Sequence, residues 1–281
     1  MDGIDAVFRS IEQIAVSVEH GGTRAFETVG GRDLADFGMI QIPSYPRPTA
    51  TLLSAVSACL EARGRTGFAD AGISAPTKLY QSVRLTLAGV PVPETHYLPR
   101  SVLRDRYREL ADRLGVPFVL KALSASCGRF NYLVAGEGEF RSLVEEPCHA
   151  PLMFLAQRYI PNNGTFRLLV FGDDVPVVMH RCNTDGGHLT NTARGGHATL
   201  FEPDTFDEEV KSMAVHAASI MGNTVAGVNV VQHREERTWH VLEVTPSPAL
   251  VTGAFVDEKL DAYAAYLRRA SGTASAVVGS R

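Results

Sequence analysis

The stretch FRLLVFGDDVPVVMHR, residues 166–181, narrows the folds open to this chain more than any other. Two apolar, β-branched runs flank Gly172-Asp173-Asp174, and a turn of that kind between such runs folds back as a β-hairpin. A second pair of runs lies in AGVNVVQHREERTWHVLEV, residues 226–244, joined by the charged turn HREER. Between the pairs, TFDEEVKSMAVHAASIMG (205–222) has helical periodicity and opens with a capping box from Thr205 to Glu208. Strands and helices interleaved in this way indicate an α/β protein.

The remaining segments continue the pattern. IAVSVEH (14–20) and FGMIQIP (37–43) read as strands, and TATLLSAVSACLEARG (49–64) as an amphipathic helix with Leu52, Leu53, Val56, Cys59 and Leu60 on one stripe. PTKLYQSVRLTLAG (76–89) begins with a proline suited to a first helical turn and stops at Gly89, and GVPVPET follows as a stiff exit. LPRSVLRDRYRELADRLG (98–115) is a charged helix ended by Gly115. PFVLKAL (117–123) and FNYLVAG (130–136) are strands joined by the loop SASCGR, and PLMFLAQRYI (151–160) is an apolar run leading into PNNG. DEKLDAYAAYLRRA is a last helix, with a loose tail after it. The expected division is an N-terminal α/β domain over 1–75, a central domain over 76–156, a C-terminal domain over 157–270 and a flexible tail over 271–281.

With 281 residues, 45% of them hydrophobic and 21% charged, the chain has apolar material for two or three compact units. Its 27 Lys+Arg against 31 Asp+Glu give a net charge of -4, so no nucleic-acid partner is expected and any polyanionic ligand must be met by local cations. Cys59, Cys127, Cys148 and Cys182 are too scattered for a zinc cluster and fit free thiols. No segment approaches the ~18 apolar residues of a membrane helix, and MDGIDAVFRSIEQ reads as neither signal peptide nor anchor. A cytoplasmic protein without membrane contact is expected.

Two charged residues sit where apolar strands should be. In HVLEVTPSP, residues 240–248, alternation puts Glu243 on the side of Val241, opposite Leu242 and Val244. Its carboxylate is either solvated at an edge or matched to a cation. Lys121 lies within PFVLKAL, where a lone ammonium is costly unless an anion meets it.

Taken in order, PTKL with its exit GVPVPET, PFVLK, the small-residue loop, AQRYI, FRLLVFGDDVPVVMHR, NTARGG, AGVNVV and LEVTPSP resemble the ATP-grasp superfamily, in particular the carboxylate–amine ligases related to the ribosomal-protein glutamate ligases. The resemblance covers about residues 76–250 and weakens over 1–75. It implies an α/β ATP-grasp fold: a small N-terminal α/β domain, a central lid domain and a C-terminal α+β domain, with ATP held between the last two.

The chemistry so implied is ATP-dependent amide formation through an acyl phosphate, releasing ADP and phosphate, with ATP and Mg²⁺ as cofactors. By the resemblance, Lys121 and Lys78 contact the nucleotide phosphates. Ser126 and Gly128 belong to a flexible cover whose small residues let N–H groups approach an anion, although Ala125 stands where glycine is common. Backbone groups of Arg158, Tyr159 and Ile160, beside Gln157, form the adenine hinge, and Arg158 departs from the acidic residue often found there. Arg167 and Arg181 face phosphate or the developing acyl phosphate, a task suited to a guanidinium that stays protonated and presents a planar fork. Asn191 and Arg194, with Gly195 and Gly196, lie over the active site. Glu243 bridges Mg²⁺ to the β- and γ-phosphates, flanked by Asn229 and Thr245 where the family has an aspartate and an asparagine. These replacements keep oxygen donors and remove a formal charge.

Three functions fit this reading. The first is a ligase joining a small-molecule carboxylate to an amine, on an amino acid, a short peptide or a specialised metabolite. The others are a precursor-peptide macrocyclase on the same fold and a nucleotide binder that has lost turnover. A homo-oligomer is left open.

Overall fold

The computed structural model describes residues 7–9, 13–19, 22–38, 40, 56, 59, 60, 62–64, 77–123, 128–149, 152–182, 197–246 and 248–278. Strands β1 (Ile14–Glu19) and β2 (Gly22–Glu27) pair antiparallel. The second of these is not evident in the sequence, because Gly22 and Arg24 interrupt its apolar pattern. Phe37 and Gly38 lie in a bend and Ile40 in no strand, which corrects the strand expected over 37–43; its other residues lie outside the described set. Val56, Cys59 and Leu60, from the helix expected over 49–64, are buried with Ala25, Leu34 and Ala35.

Helix α1 (Lys78–Leu87) is capped by Thr77, whose Oγ1 accepts from Tyr80 N at 3.3 Å. It ends before Gly89, where a φ of 77° favours glycine. A short strand, β3 (Thr95–Tyr97), begins at the last residue of the exit segment. The helix expected over 98–115 is broken at 104–106 into α2 (Arg100–Leu103) and α3 (Tyr107–Leu114). Then come β4 (Phe118–Ala122), β5 (Asn131–Val134), α4 (Glu137–Glu145) and β6 (Phe154–Arg158). The strands form an antiparallel four-stranded sheet in the order β3-β6-β4-β5. Leu103, Leu110, Leu114, Phe140 and Val144 of the helices pack on its Phe118 and Leu120, and the rings of Phe118 and Phe140 meet edge-on at 6.0 Å.

The hairpin forms as the sequence requires, as β7 (Thr165–Phe171) and β8 (Asp174–Cys182) around Gly172. Strand β9 (His197–Phe201), helix α5 (Glu208–Ile220) and strands β10 (Val225–Gln232) and β11 (Trp239–Thr245) follow. These strands make a five-stranded antiparallel sheet in the order β11-β10-β7-β8-β9. The cap of α5 is Asp207, which accepts from Glu209 N at 2.9 Å, whereas Thr205 donates its hydroxyl back to Glu202 O. The capping box read from Thr205 is corrected by that two-residue shift.

Val210, Ala214, Ala217 and Ala218 of α5 are buried against Leu168, Val170, Val228, Val230, Val241 and Val244 on one face of the sheet. Alanines at i+4, i+7 and i+8 let the helix lie close to the strands. The other face carries Arg167, Leu169 and Phe171 of β7. Its far end is covered by α6 (Val256–Val278), with Tyr263 and Tyr266 against Phe171. This helix runs on to Val278, where the sequence pattern points to a loose tail from Ser271. No helix among the described residues is long and apolar enough to cross a membrane.

Candidate functional site

Period-2 alternation brings the chemistry-bearing residues of the five-stranded sheet to one face. Arg167 of β7 pairs with Asn229 of β10, Thr165 pairs with Arg181 of β8, and Gly227 pairs with Thr245 of β11, so all six lie on the side away from α5. Glu243 reaches that side by an irregularity. Asn229 pairs with Glu243 and Val230 with Val241, leaving Leu242 as an extra residue in β11. This β-bulge lets Val241 and Val244 both enter the core while Glu243 turns outward. Strict alternation, which places Glu243 with Val241, is therefore wrong here.

Opposite this face stands the four-stranded sheet. A pocket between the sheets is lined by Val119, Lys121 and Asn131 on one side, by Tyr159 and Ile160 in the connection, and by Val231 and Leu242 on the other. Lys121 is 7% exposed. The first turn of α1 brings Lys78 to the same place, with Nζ 3.9 Å from Glu243 Oε1. Helix α1 is pinned there because Gln81 Oε1 accepts from Val244 N at 2.8 Å along the open edge of β11.

The guanidinium of Arg167 is nearly enclosed. Its Nη1 donates to Gly227 O at 3.1 Å, Asn229 Oδ1 at 3.0 Å and Thr245 Oγ1 at 3.1 Å. Arg181 Nη2 donates to the same Asn229 Oδ1 at 2.7 Å. Arg181 Nε is buried and finds no partner among the described residues. Burial pushes the Lys121 ammonium down to about 8, with Glu243 pulling it up and Lys78 pushing it further down. Arg167 is lowered to about 10 by burial and then by Arg181, against the pull of Glu243. Arg181 is lowered as well, by burial, with Glu243 opposing. Lys78, Lys121, Arg167 and Arg181 are thus gathered around the carboxylate of Glu243. Lys121 and Arg167 are buried, and a cation away from water is costly unless anionic or hydrogen-bonding groups meet it.

The hinge residues separate into two groups. Gln157 is buried and donates from Nε2 to Thr95 Oγ1 at 2.8 Å, so its side chain braces β6 against β3. Arg158 N is taken by Glu94 O at 2.8 Å, and its guanidinium turns outward to Glu94 Oε2 at 2.6 Å and Arg113 O at 2.7 Å. The N–H groups of Tyr159 and Ile160 make no hydrogen bond within the described residues. Gly128 lies in the turn between β4 and β5 with φ 70°. Ser126, Asn191 and Arg194, with Gly195 and Gly196, lie outside the described residues.

Sequence reasoning missed several contributors. Asn131 pairs with Lys121 across the β4–β5 hairpin, and its Oδ1 is buried with no partner among the described residues. Counting strand positions outward on both sides of the SASCGR loop would have found it. Gly227 is needed because a Cβ there would overlap the Arg167 guanidinium. Gln81 carried no local signal at all, since its acceptor role exists only once α1 meets β11.

Residues 80–265 match the RimK-like ATP-grasp domain. The chain belongs to the RimK-like ATP-grasp family. Among curated relatives, this ATP-grasp chain is 30% identical over 181 residues to the alpha-aminoadipate–LysW ligase LysX of Sulfurisphaera tokodaii, covering 63% of this chain and 61% of that protein. It is 31% identical over 176 residues to a probable alpha-L-glutamate ligase of Saccharophagus degradans, covering 62% and 56%. The match thus spans little more than half the length of these relatives. The ATP-grasp ligase PsnB, solved with a phosphomimetic variant of its minimal precursor, Mg and ADP, superposes with a TM-score of 0.62 at 19% identity over 84% of this chain and 77% of that one. The D-alanine–D-alanine ligase of Bacillus anthracis, solved with ATP, gives 0.58 at 18% identity over 79% and 74%. These likenesses establish the ATP-grasp fold.

Glu243 offers a part-exposed carboxylate, which fits one dication beside phosphate oxygens. No cluster of three or more His, Cys, Asp or Glu suited to a metal occurs among the described residues.

Proposed function

We propose that this chain is an ATP-dependent carboxylate–amine ligase that forms an amide through an acyl phosphate and releases ADP and phosphate. The observation that carries the reading is the group Lys78, Lys121, Arg167 and Arg181 around Glu243, with Lys121 reaching into a pocket that also presents Val119, Ile160, Val231 and Leu242. A triphosphate satisfies the cations, and a flat base fits among Val119, Ile160, Val231 and Leu242 with the N–H groups of Tyr159 and Ile160 at its edge.

In this reading Lys78 and Lys121 hold the phosphates. Arg181 offers its unpaired Nε to the oxygens of the phosphoryl group as it moves to the substrate carboxylate. ADP leaves when the γ-phosphoryl reaches the carboxylate oxygen. The amine then attacks the acyl carbon and phosphate departs. Glu243 is the residue to hold Mg²⁺, which when bound neutralises phosphate charge. Low polarity around Lys121 strengthens each of these attractions.

Because the relatives are named as an alpha-aminoadipate–LysW ligase and a probable alpha-L-glutamate ligase, amino acids with carboxylate side chains are the first substrates to offer, alone and within short peptides. The neutral Asn229 and Thr245 favour a second reading, a nucleotide binder without turnover. Carboxylate-dependent ADP release separates the two. Nucleotide binding without ADP release across a panel of carboxylates and amines would leave the binder, and a strict need for a long peptide would indicate a macrocyclase.

A further inference from the structure

Asn229 and Thr245 stand where the resemblance puts metal ligands, yet both give their oxygens to an arginine. Nη1 of Arg167 lies 3.0 Å from Asn229 Oδ1 and 3.1 Å from Thr245 Oγ1, and Gly227 O completes the set at 3.1 Å. Arg181 takes the same Asn229 oxygen at 2.7 Å. An amide oxygen has two lone pairs, and two guanidinium groups occupy them.

The charges point the same way. Mg²⁺ favours carboxylates and near-octahedral oxygens, whereas the donors here are an amide, a hydroxyl and a peptide carbonyl, all neutral. A dication among them would sit within a few Å of two arginines, where repulsion between unit charges is on the order of several kcal/mol at an effective dielectric of ~20. The Arg167 guanidinium is also built in, being 8% exposed and seated where a side chain at 227 would overlap it. Glu243 differs from the other two. Its side chain is 35% exposed, and its carboxylate faces Lys78, not an arginine hydrogen bond.

We propose that the Arg167 guanidinium, held by Asn229, Thr245 and Gly227, stands in for a second divalent cation, so that this site takes a nucleoside triphosphate with one Mg²⁺ bound through Glu243. The proposal rests on the nucleotide-binding reading above. A covalently fixed cation cannot be diluted away, so part of the phosphate charge stays neutralised at any metal concentration.

The test is a titration of the full chain with Mn²⁺ and AMPPNP, with bound metal read by electron paramagnetic resonance and nucleotide by calorimetry. One Mn²⁺ per bound AMPPNP is expected. Glu243→Gln should lose that ion, with at least a tenfold weaker apparent metal affinity. Arg167→Met should weaken AMPPNP at least tenfold at every Mn²⁺ concentration. Two Mn²⁺ per bound nucleotide in the unaltered protein would overturn the proposal and leave the nucleotide site intact, as would unchanged AMPPNP affinity in Arg167→Met. Absence of AMPPNP binding to the unaltered protein would overturn the nucleotide reading and this proposal together.

Discussion

Gln81 Oε1 accepts the Val244 N–H at 2.8 Å, and this buried bond, between residues far apart in the chain, joins α1 to the edge of the five-stranded sheet. An edge strand presents unpaired peptide groups that must be covered. Here the cover is a glutamine side chain, helped by Pro91 O, which accepts from Val241 N at 2.8 Å. Since Lys78 lies one turn before Gln81 on the same helix, the bond also sets the distance between Lys78 and Glu243.

Gln81→Leu should destabilise the protein by about 1–3 kcal/mol, because the Val244 N–H stays buried without its acceptor. Chemical denaturation measures the loss. It should be accompanied by weaker nucleotide binding, as Lys78 drifts from Glu243. A variant with unchanged stability would show that water replaces the glutamine.

Lys121→Met should move stability and binding in opposite directions. Removing an ammonium that burial disfavours should raise stability by about 1–3 kcal/mol, while nucleotide affinity should fall by roughly 10- to 100-fold. Thermal unfolding and calorimetry on the same preparation read both. A fall in both would mean that the Glu243 attraction outweighs the burial cost.

The depressed Lys121 pKa has a defined pH signature. Below pH about 8 the ammonium is charged in both folded and unfolded states and its burial penalty is complete. Between about 8 and 10.5 the folded state sheds the proton and the unfolded state keeps it, so this contribution to stability improves as pH rises. Nucleotide binding runs the other way, because phosphate favours the charged form. Binding above pH 8 should take up a proton, visible as a buffer-dependent heat, and affinity should decline with pH. Buffer-independent heats at pH 8.5 would place Lys121 away from the phosphates.

Gly227→Ala should leave the sheet folded and displace the Arg167 guanidinium, since the added methyl claims its space. Circular dichroism should stay unchanged while carboxylate-dependent ADP formation drops by at least about 100-fold, the scale expected for losing a charge-stabilising group. Full activity would show that Arg167 has room elsewhere.

Much of this architecture was legible from local pattern. The Gly-Asp-Asp hairpin, the apolar runs of β4, β10 and β11 and the periodic stripe of α5 each report their own geometry, because alternation and helical spacing are local properties. The residue types that cluster in the site were visible too: Lys121 and Glu243 stood out as charges on apolar strands. Short or weakly patterned elements such as β2, β3 and α4 were not, since they depend on neighbours for burial.

Only the tertiary structure decided which way Glu243 faces and what Asn229 and Thr245 hold. A bulge at Leu242 reverses the phase of β11, and its occurrence depends on pairing with β10 rather than on the order of residues within the strand. Likewise, Arg167 meets Asn229 and Thr245 across 62 and 78 positions of sequence, a contact made by strand order and by the missing side chain of Gly227. Sequence supplied charges and periods. Packing supplied their partners, because burial and register arise only when distant segments share one sheet.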